Sequence, residues 1–273
     1  MQFLVDRGTD RLAVRRHDNP RADTVIVIFP AMGVPAGYYD RFAAALVGAG
    51  YEVAVADLRG TGDSTPRPTR ASAYGYADLA DDVGAVLESL ADRRAGRRTL
   101  LLGHSLGGQA CVLRLARSSA SVDGLVLIGV GLPYWRSYDR RRLGVYGFTQ
   151  AIAATSALLG IWPGWGFGGR QARGVIRDWG HTARHGVFPG GLGEERLAGI
   201  SVPVLAISVD DDRYTPPSTT DHLTAKLTGS VVTRHHLSRD EAGVALDHFR
   251  WVKAGSAISR RIDTWLGDRV IAD

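Results

Sequence analysis

At 273 residues the chain is long enough to bury a substantial core, and one α/β domain with an insertion fits that length. The formal charge of +5 and pI near 9.6 would suit nucleic acid only if the charge were clustered. Lys226 and Lys253 are the only lysines and the arginines are scattered between acids, so no nucleic-acid partner is expected, and the basic balance at most favours anionic ligands. A single cysteine, Cys111, excludes an internal disulfide, and no apolar run approaches the roughly 18 residues of a membrane-spanning helix.

The opening stretch MQFLVDRGTD meets charged residues before any apolar run of signal-peptide length, which points to a cytoplasmic protein without stable membrane association. RLAVRR then alternates like a strand, TVIVIF (Thr24–Phe29) reads as a fully buried strand, and YYDRFAAALVGAG (38–50) reads as a helix ending on glycine. The order repeats: strand EVAVAD, helix YADLADDVGAVLESLADRR, strand TLLL, helix GQACVLRLARS with Cys111 as a packing thiol, strand GLVLIGV. Short buried strands separated by single helices imply right-handed crossovers and a parallel sheet.

From 131 to 199 the rhythm breaks into a glycine-rich stretch carrying Trp135, Trp162, Trp165 and Trp179, with no convincing buried strand. A segment that does not extend the sheet must lie over it, above the strand ends where ligands of open α/β sheets bind. This gives a core of residues 1–130 and 200–273 and a cap of residues 131–199. Within the cap, Arg140, Arg141 and Arg142 read as a solvated face. The sheet resumes with PVLAISV (203–209), followed by a helix near 218–227, strand SVVTRHHL and a last helix over about 249–266.

After TLLL comes GHSLGG, with Gly103 and Gly107 two residues either side of Ser105. Glycines so placed suit a strand-to-helix turn too tight for side chains, which raises a strained serine hydroxyl above the sheet. Such a serine needs a base, and His248, on the loop between the last strand and the last helix, is the candidate. His235 and His236 sit inside a predicted strand that would pin them. His181 and His185 have the spacing of a zinc pair, yet no glutamate follows the first and no third ligand is evident, so no metal is expected. The orienting acid should lie in DDDRYTPP: Asp212 is favoured by its spacing to Pro216 and Pro217, with Asp211 open. Oxyanion donors are expected from the amides of Leu106, at a helix N-terminus, and of Met32, in PAMGVPAG.

Taken together, GHSLGG, PVLAISVDDDRYTPP, DHF and DLRGTGDS (57–64) resemble, in order, motifs of the α/β-hydrolase superfamily. PAMGVPAGYYDRFA and DWGHTARH are similar to segments of bacterial predicted serine hydrolases of the serine aminopeptidase and lysophospholipase kind. The resemblance implies an eight-stranded, mostly parallel sheet flanked by helices, with a helical cap inserted after strand six. It further implies a Ser-His-Asp triad of Ser105, His248 and Asp212. His104 is expected to pack near the elbow, and His104, Trp135 and Trp162 are the expected substrate-binding residues, the tryptophans because the cap is aromatic. Arg59, Gly60 and Gly62 are expected to be structural. Two departures stand out: Pro30 and Ala31 replace the His-Gly of many relatives, and Val209 replaces the glycine that usually opens the acid turn. The expected activity is cofactor-free hydrolysis of an ester or related acyl bond in a moderately apolar small molecule. Acyl transfer or cyclisation from the same acyl-enzyme is the alternative, and an inactive ligand-binding protein is a third reading.

Overall fold

The computed structural model describes residues 1–118 and 122–270. In chain order its elements begin with β1 (Gln2–Arg7), β2 (Asp10–His17), β3 (Thr24–Phe29), α1 (Asp40–Gly48), β4 (Glu52–Ala56), α2 (Tyr76–Ser89) and α3 (Ala91–Arg94). There follow β5 (Arg98–His104), α4 (Leu106–Arg117), β6 (Gly124–Ile128), α5 (Arg142–Leu159), β7 (Ile161–Trp162), β8 (Gln171–Ala172) and α6 (Arg173–His185). The chain closes with β9 (Val204–Val209), α7 (Pro217–Thr224), β10 (Val232–Leu237), α8 (Arg239–Ala242) and α9 (Gly255–Val270).

Eight strands form one sheet in the order β1-β2-β4-β3-β5-β6-β9-β10. Only β1 and β2 run antiparallel to their neighbours. Every residue of β3, β4, β6 and β9 is buried, as strands covered on both faces require, and this explains their unbroken Val, Ile and Leu runs. Successive side chains alternate between two apolar layers. Val25 and Val27 belong to the layer that holds Val83 of α2 and Leu113 of α4, while Ile26 and Ile28 belong to the layer that holds Phe42 of α1 and Ile258 of α9. This is the α/β-hydrolase fold.

The chain leaves β3 toward β4 on one side and returns to β5 on the other, so the crevice at the carboxyl ends of β3 and β5 is a topological switch point. The loops after β3, β5, β6 and β9 all open on that end. The segment between β6 and β9 adds no strand to the large sheet, and it is tied to the core by Asp178 of α6. The Asp178 carboxylate accepts the Tyr76 amide at 2.9 Å at the N-terminus of α2, where negative charge is favoured.

Three local readings need correction. Residues 2–7 form the edge strand β1, whose mostly exposed positions gave no buried run to recognise. The cap contains a strand pair after all: Ile161 and Trp162 pair antiparallel with Gln171 and Ala172, too short to show a period. The last helix is preceded by a 3-10 turn, Arg250–Ala254, and extends further than expected, from Gly255 to Val270. Arg59 is buried and paired with Asp10 and Asp82, a structural anchor for the turn after β4. Among the described residues no helix is long and apolar enough to cross a membrane.

Candidate active site

Ser105 stands between the last residue of β5 and the first of α4 with φ 51° and ψ −120°, a backbone conformation that side-chain-bearing residues seldom adopt. The flanking glycines are sterically required. A Cβ on Gly103 would lie 2.2 Å from Gly108 Cα, and one on Gly107 would lie 2.1 Å from the Phe29 carbonyl oxygen. The Leu106 amide belongs to the first residue of α4, so it has no acceptor within its own helix and is free for a ligand.

The acid and the imidazole come from two further loops. Asp212 follows β9, His248 follows α8, and His248 Nδ1 lies 2.8 Å from Asp212 Oδ2, both residues being buried. The other carboxylate oxygen of Asp212 accepts the amides of Tyr214 and Thr215 at 2.9 and 2.8 Å, and the Thr215 hydroxyl donates to Oδ2 at 2.5 Å. Burial by itself would raise the Asp212 carboxyl, but the hydrogen bond and charge of His248 and the Thr215 donors outweigh it and hold the group below the usual carboxylate range. Asp211 is exposed and ion-paired with Arg239, while Asp210 pairs with His236. Of the three aspartates, Asp212 is therefore the one set against His248. Gly129, with φ 57°, closes the back of this pair: a Cβ there would sit 3.2 Å from Asp212 Oδ2 and 3.5 Å from His248 Nδ1.

Ser105 and His248 open on one cavity of about 720 Å³, a size suited to a small organic ligand. Aromatic rings contribute to its sides, with Phe167 and Trp179 from the cap and Tyr214 and Phe249 from the core. Tyr214 and Phe249 pack on His248 with ring centroids 5.2 and 4.9 Å away, which fixes the imidazole plane. Met32 and Gly33 of the loop after β3 pack so closely on the cap that a Cβ on Gly168 would lie 2.6 Å from Met32 Sδ.

Residues 20–181, more than half of the chain, match the Hydrolase_4 family, described as serine aminopeptidase, S33. The chain belongs to that family of hydrolases. The match includes Ser105 and ends before Asp212 and His248. The chain is also 26% identical over 239 residues to the putative carbamate hydrolase RutD of Variovorax paradoxus, covering 80% of this chain and 84% of that protein. Protein ABHD8 of Homo sapiens is 31% identical over 113 residues, 41% of this chain, and the chain spans only about 25% of that relative's length. Among solved structures, a thioesterase domain from the curacin biosynthetic pathway superposes with TM-score 0.65 at 18% identity, covering 96% of this chain and 98% of the other. A putative lipase from Acinetobacter baumannii superposes with TM-score 0.67 at 14% identity, covering 100% and 93%. At such identities the likeness to these two is one of fold.

Three residues expected beside the substrate lie off the cavity wall of this S33-family protein. His104 is fully buried beneath it, because its position in β5 points it into the layer below the elbow. Its Nε2 accepts the Trp251 indole N–H at 3.2 Å, so the neutral ring carries its proton on Nδ1 and donates it to the Tyr39 hydroxyl oxygen at 2.7 Å. Burial, then the nearby charge of His248, pushes His104 well below its ordinary pKa and keeps it neutral. Trp135 packs on Tyr146 and Arg136, and buried Trp162 supports the wall from behind by donating its indole N–H to the Phe167 carbonyl at 2.8 Å. His235 bonds Glu241, His236 bonds Ser208 and Asp210, and His181 and His185 lie 4.5 Å apart on α6 away from the serine.

The sequence reading missed Thr215, Gly129 and the aromatic wall, none of which has a local signature. It also missed Gln109, one turn along α4 from Ser105. Gln109 lines the cavity; its Nε2 donates to the Gly131 carbonyl at 2.7 Å, and its buried Oε1 has no donor among the described residues.

Proposed function

We propose that this protein is a serine hydrolase that cleaves an ester or related acyl bond of a small molecule through an acyl-enzyme. The observation that carries the reading is the convergence of an elbow serine and a buried Asp212–His248 pair on one largely apolar cavity. Ser105 Oγ attacks the acyl carbon while His248 Nε2 takes its proton, and the Asp212 carboxylate stabilises the imidazolium through Nδ1–H. His248 then returns the proton to the leaving alcohol as the acyl-enzyme forms. Water repeats the sequence, releasing the acid and restoring the serine.

Negative charge on the carbonyl oxygen is received by the amides of Leu106 and Met32. The Ala31 amide is already committed to the Tyr39 hydroxyl oxygen at 3.0 Å, which makes the next amide, that of Met32, the donor from this loop. Each such donor contributes about 3 kcal/mol to the transition state. His104 supports this arrangement indirectly, since Tyr39 bridges it to the oxyanion loop. The cap, residues 131–199, supplies the wall that selects a moderately apolar acyl or alcohol group. A relative named a putative carbamate hydrolase, and fold neighbours named a putative lipase and a thioesterase domain, support the same reading.

The test is covalent labelling. An active-site-directed fluorophosphonate should form an adduct located on Ser105 by peptide mass spectrometry, and His248→Ala should abolish it. A folded wild-type protein that resists labelling while its cavity is open to solvent would overturn the reading.

A further inference from the structure

The cavity has a polarity that the acyl chemistry does not require. Arg140, Arg141 and Arg213 stand along its wall with Ser105, and no carboxylate lines it among the described residues. Arg140 and Arg141 belong to the 3-10 turn that leads into α5, and Arg141 is the N-cap of that 18-residue helix. This is the wrong end of a helix for cations. Its N-terminus carries the positive end of the peptide dipole, where acids stabilise and arginines repel. The first turn of α5 holds no acid, the cap residue makes no side-chain capping bond, and Arg142 adds a further positive charge.

Proteins usually offset such an arrangement with an ion pair, yet none of the three cavity arginines pairs with a carboxylate among the described residues. The nearest acid to Arg140 and Arg141, Asp139, is exposed at the start of the same 3-10 turn and makes no ion pair with them, and the acids beside Arg213 are engaged elsewhere, Asp211 with Arg239 and Asp212 with His248. All three arginines are exposed residues, yet Arg141 is held in place. Its Nη2 donates to the Arg213 carbonyl at 3.1 Å and its guanidinium lies over the Tyr138 ring at 5.8 Å, contacts that place the group without neutralising it. A further polar group stands near the serine. Gln109, 4% exposed, lines the same cavity, and its Oε1 has no hydrogen-bond partner among the described residues.

We propose that the substrate of this site bears an anionic oxyacid group, a carboxylate or a phosphate, bound by Arg140, Arg141 and Arg213 while its acyl carbon lies at Ser105. This rests on the acyl-hydrolase reading and narrows it. The aromatic wall between the two ends receives the apolar segment that separates the charged group from the scissile bond. Guanidinium forks match both anions, and the unopposed helix dipole adds to their attraction. The arginine run of the cap, read from the sequence as a solvated face, is on this view the specificity element of the enzyme.

Binding to the Ser105→Ala protein tests the inference without turnover. Monomethyl adipate and methyl hexanoate differ at the far end by a charged carboxylate, and hexyl phosphate carries the other anion. By isothermal titration calorimetry, at least one anionic ligand should bind about ten-fold or more tightly than methyl hexanoate, since a charge-assisted contact contributes about 1.5–3 kcal/mol. Which anion binds better distinguishes carboxylate from phosphate. Replacing all three arginines, R140Q/R141Q/R213Q, should erase the preference, and raised salt should weaken it in the parent. The unliganded triple variant should melt no lower than its parent, because two of the three charges removed, Arg140 and Arg141, stand at a helix N-terminus. Equal affinity for charged and neutral ligands, or no measurable binding of either anion, overturns the inference. An anion preference in a wild type that neither hydrolyses esters nor labels at Ser105 would overturn the acyl-hydrolase reading instead.

Discussion

The floor and the cap of the cavity are built on opposite principles. On the floor, each functional group is held by several short bonds and by backbone contacts that leave no space: Gly107 against Phe29, Gly129 against Asp212, and three Asp212 acceptor bonds to Tyr214 and Thr215. The cap touches the core closely at a few places, Gly168 against Gly33, Gly174 against Tyr74 and Asp178 on the Tyr76 amide, but several of its apolar side chains face solvent, Leu143 and Trp165 among them. Rigid geometry is what a proton relay needs, whereas ligand selection needs only shape and charge. Changes on the floor should therefore act on kcat, and changes in the cap on KM.

The largest effect expected on the floor follows Ser105→Ala, which should lower kcat by about 10⁶-fold, with Ser105→Ala/His248→Ala hardly lower, because the groups act as a unit. Asp212→Asn should cost about 10⁴-fold through loss of the imidazole's orientation and charge partner. Asp211→Asn, at an exposed site, should stay within about two-fold in the same ester assay. Gly129→Ala puts a methyl group 3.2 Å from Asp212 Oδ2 at a positive φ. It should lower kcat about ten- to a hundred-fold, because small displacements of catalytic groups are costly. An unchanged kcat in Gly129→Ala would show that the floor yields as easily as the cap.

Stability gives a check that does not depend on turnover. In the native state His104 stays neutral in acid, while in the unfolded chain it takes up a proton near its ordinary value of 6.5. Below that pH the unfolded state binds more protons, so stability falls with falling pH, by about 1.4 kcal/mol per unit for this one group. The contribution is fully present above pH 6.5. His104→Asn should flatten the profile by that amount when denaturation midpoints are followed from about pH 5 to pH 8. The smallest effect belongs to the cap. Trp162→Phe removes the bond that holds the Phe167 carbonyl and should raise KM about five-fold, a change of about 1 kcal/mol, with kcat little altered.

Much of the floor was legible because its requirements are local or follow from strand order. The elbow depends on glycines two residues from a serine, and the buried strands depend on unbroken apolar runs. His248 could be preferred to His235 and His236 because a strand pins its side chains and a loop does not. His104 packs near the elbow as expected but does not border the cavity, because proximity to the nucleophile in sequence does not say to which side of a strand end the ring turns. Trp135 and Trp162 were placed beside substrate on composition alone, and composition does not distinguish a wall from its support.

Residue order and steric rules between near neighbours thus specify the parallel sheet, the serine at its turn and the loops from which acid and base must come. They do not specify which of three adjacent aspartates reaches a histidine 36 residues away at 2.8 Å, or that Gly129 stands behind both. Nor do they show that Arg140 and Arg141 turn onto the cavity. Those outcomes depend on contacts between segments far apart in the chain, and such contacts leave no periodicity or spacing for the sequence to display.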